Sequence, residues 1–189
     1  LSLFVGSPVL SEALDASVPS FHIGLIAFGI LYSPLSLILG IGMNVIFHDP
    51  FIDAATIKLP FYDGQSVSFD FEVKTKEEVL RNSNFITVLV PAQKEYIIGK
   101  KEFEIMQNGV GIVNAARGGV IDEVALIEAL ESGKVAFAGL DTFESEPTPE
   151  IKILMHSKIS LTPHIGAATA EAQDRIGVEL ANQIITLLK

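Results

Sequence analysis

Residues 111–140, GIVNAARGGVIDEVALIEALESGKVAFAGL, decide the fold class of this chain. An apolar run at residues 111–114 predicts a buried strand, and residues 122–132 show the pattern of an amphipathic helix followed by Gly133, a typical helix C-cap. A second apolar run at Val135–Leu140 predicts another strand. Two buried strands joined through a helix run parallel, because such a crossover returns the chain to the same end of a sheet.

The same alternation of apolar runs and helical patterns continues along the rest of the chain. Further strands are predicted at residues 22–27, 44–47, 85–90 and 159–161. Further helices are predicted at residues 33–40, 75–81, 100–106 and 169–188. Residues 51–71 are predicted to be a loop with one weak strand at residues 67–69. We therefore predict an α/β fold with a doubly wound parallel, Rossmann-like sheet in residues 21–189, preceded by an N-terminal arm or helix in residues 1–20.

Composition narrows the classes of protein to which the chain can belong. The 189 residues carry a formal net charge of −10, and 49% of them are hydrophobic. Such a chain can bury enough apolar surface to offset its conformational entropy, which excludes intrinsic disorder. The acidic balance argues against a nucleic-acid partner. Cysteine is absent, so thiolate metal sites are excluded, and we predict a cytoplasmic location and no metal centre.

The segment from Phe21 to Phe47 contains no charged residue. On hydropathy alone it is long enough to be a membrane-spanning candidate. Four glycines and Pro34 interrupt it, and these breaks favour a strand, a turn, a short helix and a second strand instead. We therefore predict no membrane partner.

Three side chains with acid, base or cation chemistry follow predicted strands. Arg117 comes after the strand at residues 111–114, and His164 comes after the last strand. Ligands bind at the carboxyl edge of parallel sheets, where a guanidinium is suited to bidentate capture of a carboxylate. A nearby carboxylate such as Glu146 would hold one imidazole tautomer of His164 and favour its protonated form. Together the three side chains would supply a base, a partner for that base and a carboxylate clamp.

Each of these residues also has an ordinary structural explanation. An arginine after a strand is most often the partner in a surface ion pair, and a histidine after proline is usually a loop residue. Asp49-Pro50 is a common turn. Glu146 stands in an acidic stretch with Glu144 and Glu150, which is typical of a solvated surface. Taken one at a time, the residues leave the function open.

Three sequence blocks in a fixed order resemble one known family. The first is VNAARGGVIDE at residues 113–123, the second is AGLDTF at residues 138–143 followed by Glu146-Pro147, and the third is LTPHIGA at residues 161–167. Residues 23–188 are in this respect similar to the nucleotide-binding domain of the D-2-hydroxyacid dehydrogenases, most nearly the phosphoglycerate dehydrogenases. That family also has a substrate-binding lobe, and we expect this chain to lack it.

The resemblance implies a role for each matching residue. Arg117 would bind substrate, and His164 and Glu146 would form the acid–base pair. Asp141 would hold the carboxamide of the nicotinamide, and Asp49 would bind the ribose hydroxyls of the adenosine, at the 20-residue distance from the fingerprint that a dinucleotide fold requires. The other residues implied to lie along the cofactor, NAD, are Gly29, Pro91, Ala115 and Ala116.

The dinucleotide fingerprint after the first strand departs from its Gly-x-Gly-x-x-Gly pattern. Residues 27–32 read AFGILY, and Pro34 stands at the predicted helix start. Ala27 and Tyr32 replace glycines that serve a tight turn and close helix packing. Pro34 would move the helix N-terminus away from a pyrophosphate, which puts NAD binding in doubt. The residues that make this side of the cofactor cleft more apolar than in the family are Ile30, Leu31, Tyr32 and Leu89.

Two functions of different classes follow from these patterns. One is the NAD-binding domain of a D-2-hydroxyacid oxidoreductase, phosphoglycerate-like, with a 2-hydroxy or 2-keto acid as substrate and little or no turnover by this chain alone. The other is an engineered or repurposed Rossmann scaffold whose apolar former cofactor cleft serves as a ligand pocket or a protein interface. An exposed apolar cleft favours a homodimer under both hypotheses.

Overall fold

The computed structural model describes residues 22–27, 39, 42–166, 168 and 170–188. The strands are β1 (His22–Ala27), β2 (Asn44–His48), β3 (Ala54–Pro60), β4 (Ser66–Glu72), β5 (Phe85–Leu89), β6 (Val110–Asn114), β7 (Val135–Leu140) and β8 (Ile159–Leu161). The helices are α1 (Lys76–Asn82), α2 (Lys100–Ile105), α3 (Glu123–Glu131), α4 (Ile151–Leu154) and α5 (Ala170–Leu187). Three predicted features lie outside the described residues. They are the arm at residues 1–20, fingerprint residues 28–32, and the helix at residues 33–40 except for Leu39.

Six strands form one parallel sheet in the order β2-β1-β5-β6-β7-β8. Ile23 of β1 pairs with Val45 of β2 on one side and with Phe85 of β5 on the other. The strand order therefore reverses beside β1, and the carboxyl ends of the strands at such a reversal form the crevice where α/β sheets bind ligands. The predicted parallel α/β fold is confirmed.

The core explains why these segments become strands and helices. Ile86 and Ile112, on neighbouring central strands, are completely buried, as are Leu126 and Leu130 on α3. The apolar residues of these strands are buried where helices pack on the sheet, whereas Val113 of β6 is 39% exposed. Each buried leucine or isoleucine contributes about 2 kcal/mol from the apolar surface it removes from water.

Helix ends follow local sequence signals. Thr75 caps α1: its hydroxyl accepts from the Glu78 backbone N–H at 3.2 Å, and its own backbone N–H donates to the Glu78 carboxylate at 2.9 Å. This is the capping box that the sequence predicts at the start of the helix. At the end of α3 the cap is Ser132, and Gly133 takes the next position with a φ of +78°, so the prediction of Gly133 as the cap is displaced by one residue.

The weak strand predicted at residues 67–69 lies within β4 and is confirmed, but the prediction of a loop over the rest of residues 51–71 is wrong because it omits β3. β3 and β4 form a separate antiparallel ribbon in which Ala54 pairs with Glu72 and Pro60 with Ser66. One face of the ribbon packs on the domain through Ile57, which is 3% exposed, and through Phe71, whose ring lies 6.0 Å from that of Phe47. The short helix α4 is also absent from the sequence prediction, because four residues are too few to display a helical period.

A second apolar cluster lies between the ribbon and the sheet. Val45, Phe47 and Ile57 form its buried part, and Leu89 packs against it. Leu89, predicted from the sequence to lie at the cofactor cleft, therefore packs in this cluster. Within the described part of the chain no helix has the length and apolarity needed to cross a membrane, and the uncharged segment contributes β1 and β2 to the sheet.

Candidate active site

The loop after β6 presents Arg117 at the carboxyl edge of the sheet. Asn114, at the last position of β6, is 3% exposed, and its side chain accepts from the Ala116 N–H at 3.1 Å and donates to the Arg117 carbonyl at 2.9 Å. The Arg117 side chain is exposed and donates to the Ala116 carbonyl. Among the described residues no carboxylate lies within ion-pair distance of it, so within that part of the chain Arg117 does not form the surface ion pair that is usual for an arginine after a strand.

Asp141, directly after β7, organises the loop that carries His164. Its carboxylate accepts from the Thr162 hydroxyl at 2.6 Å, from the Ile165 N–H at 2.9 Å and from the Gly166 N–H at 3.0 Å. Burial raises the pKa of Asp141, but these three hydrogen bonds outweigh burial and hold the pKa below its ordinary value. The bonds flank His164, which has a left-handed backbone with a φ of 54°, a conformation that a residue with a Cβ adopts only when its surroundings enforce it.

His164 and Glu146 lie in direct contact. The Nδ1 atom of His164 is 2.8 Å from a carboxylate oxygen of Glu146. The other carboxylate oxygen of Glu146 accepts from the Phe143 N–H at 3.0 Å. The hydrogen bond with His164, followed by that from Phe143, lowers the pKa of Glu146. Because Nδ1 faces the carboxylate, Nε2 is the imidazole nitrogen that remains to exchange a proton with a ligand.

The pair borders an apolar cavity of about 490 Å³. Phe143, Leu154 and Leu161 contribute to its wall, next to Glu146 and His164. The pair therefore borders an apolar wall on one side, while the side chains of His164 and Glu146 are themselves 41% and 36% exposed.

The Arg117 loop and the Glu146 turn pack against each other through backbone atoms. Gly118 lies so close to the peptide joining Phe143 and Glu144 that an added Cβ would overlap the Phe143 carbonyl. Only glycine permits this approach. The contact fixes the spacing between the loop that presents Arg117 and the turn that presents Glu146.

Asp49 and the other predicted cofactor residues lie along the same edge of the sheet. Asp49 follows β2, is 2% exposed and accepts from the Phe51 N–H at 2.8 Å. Pro91 follows β5, and Ala115 and Ala116 follow β6; Pro91 and Ala115 are exposed. These residues therefore stand after β2, β5 and β6, at the edge of the sheet where parallel α/β folds bind ligands. Gly29, Tyr32 and Pro34 lie outside the described residues.

Sequence reasoning misses the side chains that hold these loops. Asn114 and Thr162 stand inside the quoted blocks, at the end of β6 and directly after β8. A polar residue at the end of an otherwise apolar strand is the signal that could have marked them, because such a residue commonly bonds the backbone of the following loop.

The stability of the domain is expected to fall on acidification. The folded pKa values of Asp141 and Glu146 lie below their ordinary values, as do those of Glu78 and Glu102. Such groups contribute stability that is present above the unfolded pKa and is lost as the pH falls through the folded pKa. Chemical unfolding followed by circular dichroism should show a decreasing free energy of unfolding from about pH 5 downward. A free energy of unfolding that stays level or rises as the pH falls below about 5 would contradict the lowered pKa values of these carboxyl groups.

The reversed strand order, the carboxylate after β2 and the contact between Glu146 and His164, which follow β7 and β8, are together typical of one class: a Rossmann-like dinucleotide-binding domain. Residues 17–166 match the family model described as D-isomer specific 2-hydroxyacid dehydrogenase, NAD binding domain. The chain belongs to this family, as the three sequence blocks predict.

Relatives of known identity support this membership. The chain is 43% identical over 155 residues to the D-3-phosphoglycerate dehydrogenase of Archaeoglobus fulgidus. The aligned region covers 78% of this chain and 27% of the relative. Among solved structures, a glyoxylate reductase from Paecilomyes thermophila gives a TM-score of 0.72 at 34% identity, covering 89% of this chain and 49% of that one. D-lactate dehydrogenase with NAD+ from Lactobacillus jensenii gives a TM-score of 0.66 at 27% identity, covering 86% and 51%. The chain thus spans about a quarter to a half of the length of these relatives.

Proposed function

We propose that this chain supplies the NAD-binding half of a D-2-hydroxyacid oxidoreductase whose substrate is a small 2-hydroxy or 2-keto acid. The observation that carries the proposal is the 2.8 Å contact between Glu146 and His164 at the carboxyl edge of the sheet. The names of the relatives, among them a D-3-phosphoglycerate dehydrogenase, support a phosphoglycerate-like substrate.

In the proposed reaction His164 exchanges the proton of the substrate hydroxyl. Nε2 of His164 takes that proton when the hydroxy acid is oxidised, while Glu146 holds Nδ1 and stabilises the imidazolium that forms. The C2–H bond breaks with its electron pair as the C2–O bond becomes a carbonyl, and bound NAD would supply the hydride acceptor. Arg117 pairs with the substrate carboxylate through its guanidinium.

The residues proposed to hold NAD lie at the carboxyl ends of β2, β5, β6 and β7. Asp49 would accept hydrogen bonds from the ribose hydroxyls of the adenosine, and Pro91, Ala115 and Ala116 would lie along the cofactor. Asp141 is proposed to contact the nicotinamide carboxamide, although its carboxylate already holds the His164 loop through three hydrogen bonds.

Calorimetric titration of NAD and NADH into the purified chain tests the proposal. We expect binding with a Kd in the micromolar range, because the family's ribose-binding carboxylate is present at the end of β2. Asp49→Ala should weaken binding by about tenfold or more through the loss of a charge-assisted hydrogen bond. Glu128→Ala is the matched control, since Glu128 lies on α3 and pairs with Lys100 away from this edge.

A titration without heat, together with no thermal shift at millimolar cofactor, would contradict the proposal and favour a repurposed cleft. Even with NAD bound, little turnover is expected from this chain alone, because a site that is not enclosed does not exclude water. The homodimer and the cytoplasmic location predicted from the sequence remain predictions.

A further inference from the structure

The turn that carries Glu146 is attached to the domain by few bonds. Phe143 is 7% exposed, whereas residues 144–148 are all exposed. A turn with so little buried surface keeps its position through specific hydrogen bonds rather than through packing. The position of Glu146 therefore depends on what holds the start of the turn, at Phe143 and Glu144.

Glu123, the first residue of α3, is hydrogen-bonded to the start of this turn. A carboxylate oxygen of Glu123 accepts from the Glu144 N–H at 2.8 Å. In return, a carboxylate oxygen of Glu144 accepts from the Glu123 N–H at 2.9 Å. The second Glu144 oxygen accepts from the Tyr96 hydroxyl at 3.2 Å. Two residues 21 positions apart are thus joined by a reciprocal pair of side-chain to backbone bonds.

The peptide between Phe143 and Glu144 is held on both of its polar sides. Its N–H bonds to Glu123, and its carbonyl oxygen lies against Gly118. The adjoining N–H of Phe143 bonds to Glu146 itself. A shift of this one peptide would therefore move the Glu146 carboxylate relative to His164.

Glu123 occupies a costly environment for a side chain whose task is only to cap a helix. It is 6% exposed, and its Oε2 atom is buried with no hydrogen-bond partner among the described residues. Asp122 already caps α3 by accepting from the Ala125 N–H at 3.0 Å. A buried carboxyl that helix capping does not require needs another explanation.

We propose that Glu123 is a positioning residue of the acid–base pair, which acts through the Glu144 N–H to keep Glu146 within hydrogen-bond reach of His164. This inference rests on the proposed function, since it assigns a role relative to that pair. It is independent of NAD binding, because the contacts it uses lie within the protein.

The test measures the pKa of the Glu146 carboxyl by carbon NMR titration in the full chain. In the parent chain that pKa lies below its ordinary value, because of the bonds from His164 and Phe143. Glu123→Met keeps the apolar stem of the side chain but removes the acceptor, so we expect the pKa of Glu146 to rise toward its ordinary value. Glu123→Gln keeps an acceptor for the Glu144 N–H and should restore the lowered pKa. Glu128→Met, on the exposed side of the same helix, should leave it unchanged.

The direction of the shift separates positioning from a long-range effect of charge. Removing a negative charge near a carboxylate lowers that carboxylate's pKa, since it removes repulsion. A lowered or unchanged pKa for Glu146 in folded Glu123→Met would overturn the proposal, as would equal rises in the Met and Gln variants.

Amide hydrogen exchange in the parent chain tests the hydrogen bond between the Glu144 N–H and Glu123 without any variant. The Glu144 amide should exchange about tenfold more slowly or better than an unprotected amide, because its N–H is bonded to Glu123. Exchange at the unprotected rate would refute the proposal even if Glu123→Met failed to fold. Neither measurement uses cofactor, so failure of NAD binding would show separately in the titration with NAD.

Discussion

Gly118→Ala is expected to lower the free energy of unfolding by about 3 kcal/mol, as overpacking against backbone does. The added Cβ would overlap the Phe143 carbonyl. Because the clash is with backbone atoms, no change of side-chain rotamer can relieve it. The Arg117 loop would have to move away from the Glu146 turn, so the contact between Glu146 and His164 should loosen as well. Urea unfolding followed by circular dichroism measures the loss, since the chain contains no tryptophan.

Gly139→Ala provides the matched control for this substitution. A Cβ at Gly139 would lie 3.8 Å from Val113, an ordinary van der Waals distance. We expect a change within about 0.5 kcal/mol of zero for this variant. Equal stabilities for the Gly118 and Gly139 variants would show that the two loops are not in close contact.

Asp141→Ala is expected to cost about 3 kcal/mol, because three donors lose their acceptor at once and each such bond contributes about 1 kcal/mol. The backbone of His164 then has little to hold it in its left-handed conformation, so the residue should relax. Two measurements check this expectation. The denaturation midpoint should fall, and the pKa of Glu146, which the hydrogen bond with His164 holds low, should rise.

Asp141→Asn distinguishes hydrogen bonding from general disruption of the site. An asparagine can accept from Thr162 and Ile165 with its carbonyl oxygen but turns its amide toward the Gly166 N–H. The expected cost is therefore smaller than for alanine, about 1 to 2 kcal/mol. An asparagine variant as unstable as the alanine variant would mean that the negative charge, rather than the hydrogen bonds, holds the loop.

The central sheet could be predicted because its strands carry their own signal. Apolar runs such as those of β6 and β7 mark strands of a parallel sheet from the sequence alone, although one face is only partly covered here, with Val113 39% and Phe137 44% exposed. Of the ribbon, only part of β4, the weak strand at residues 67–69, could be predicted. In β4, Val67, Phe69 and Phe71 alternate with polar residues, but β3 carries two alanines and ends in Pro60, so its strand character arises from pairing with β4.

The candidate site divides along similar lines. The resemblance places Arg117, Glu146 and His164 at loops after strands, and the fold brings those loops to one edge of the sheet. The bonds that fix the loops, such as those of Glu123 and Asn114, join residues whose contact depends on tertiary structure. Sequence spacing carries no information about such contacts, because the same residues could equally face solvent.

The ribbon of β3 and β4 also has a consequence for the order in which the chain folds. Its strands are joined by a short turn containing Gly64, with a φ of +84°, so closing the ribbon costs little loop entropy and takes microseconds. Pairing in the parallel sheet instead requires distant segments to meet, as Ile23 does with Phe85. The ribbon can therefore form before the strands of the parallel sheet have paired. Ile57 and Phe71 would then present an apolar surface against which β2 can pack.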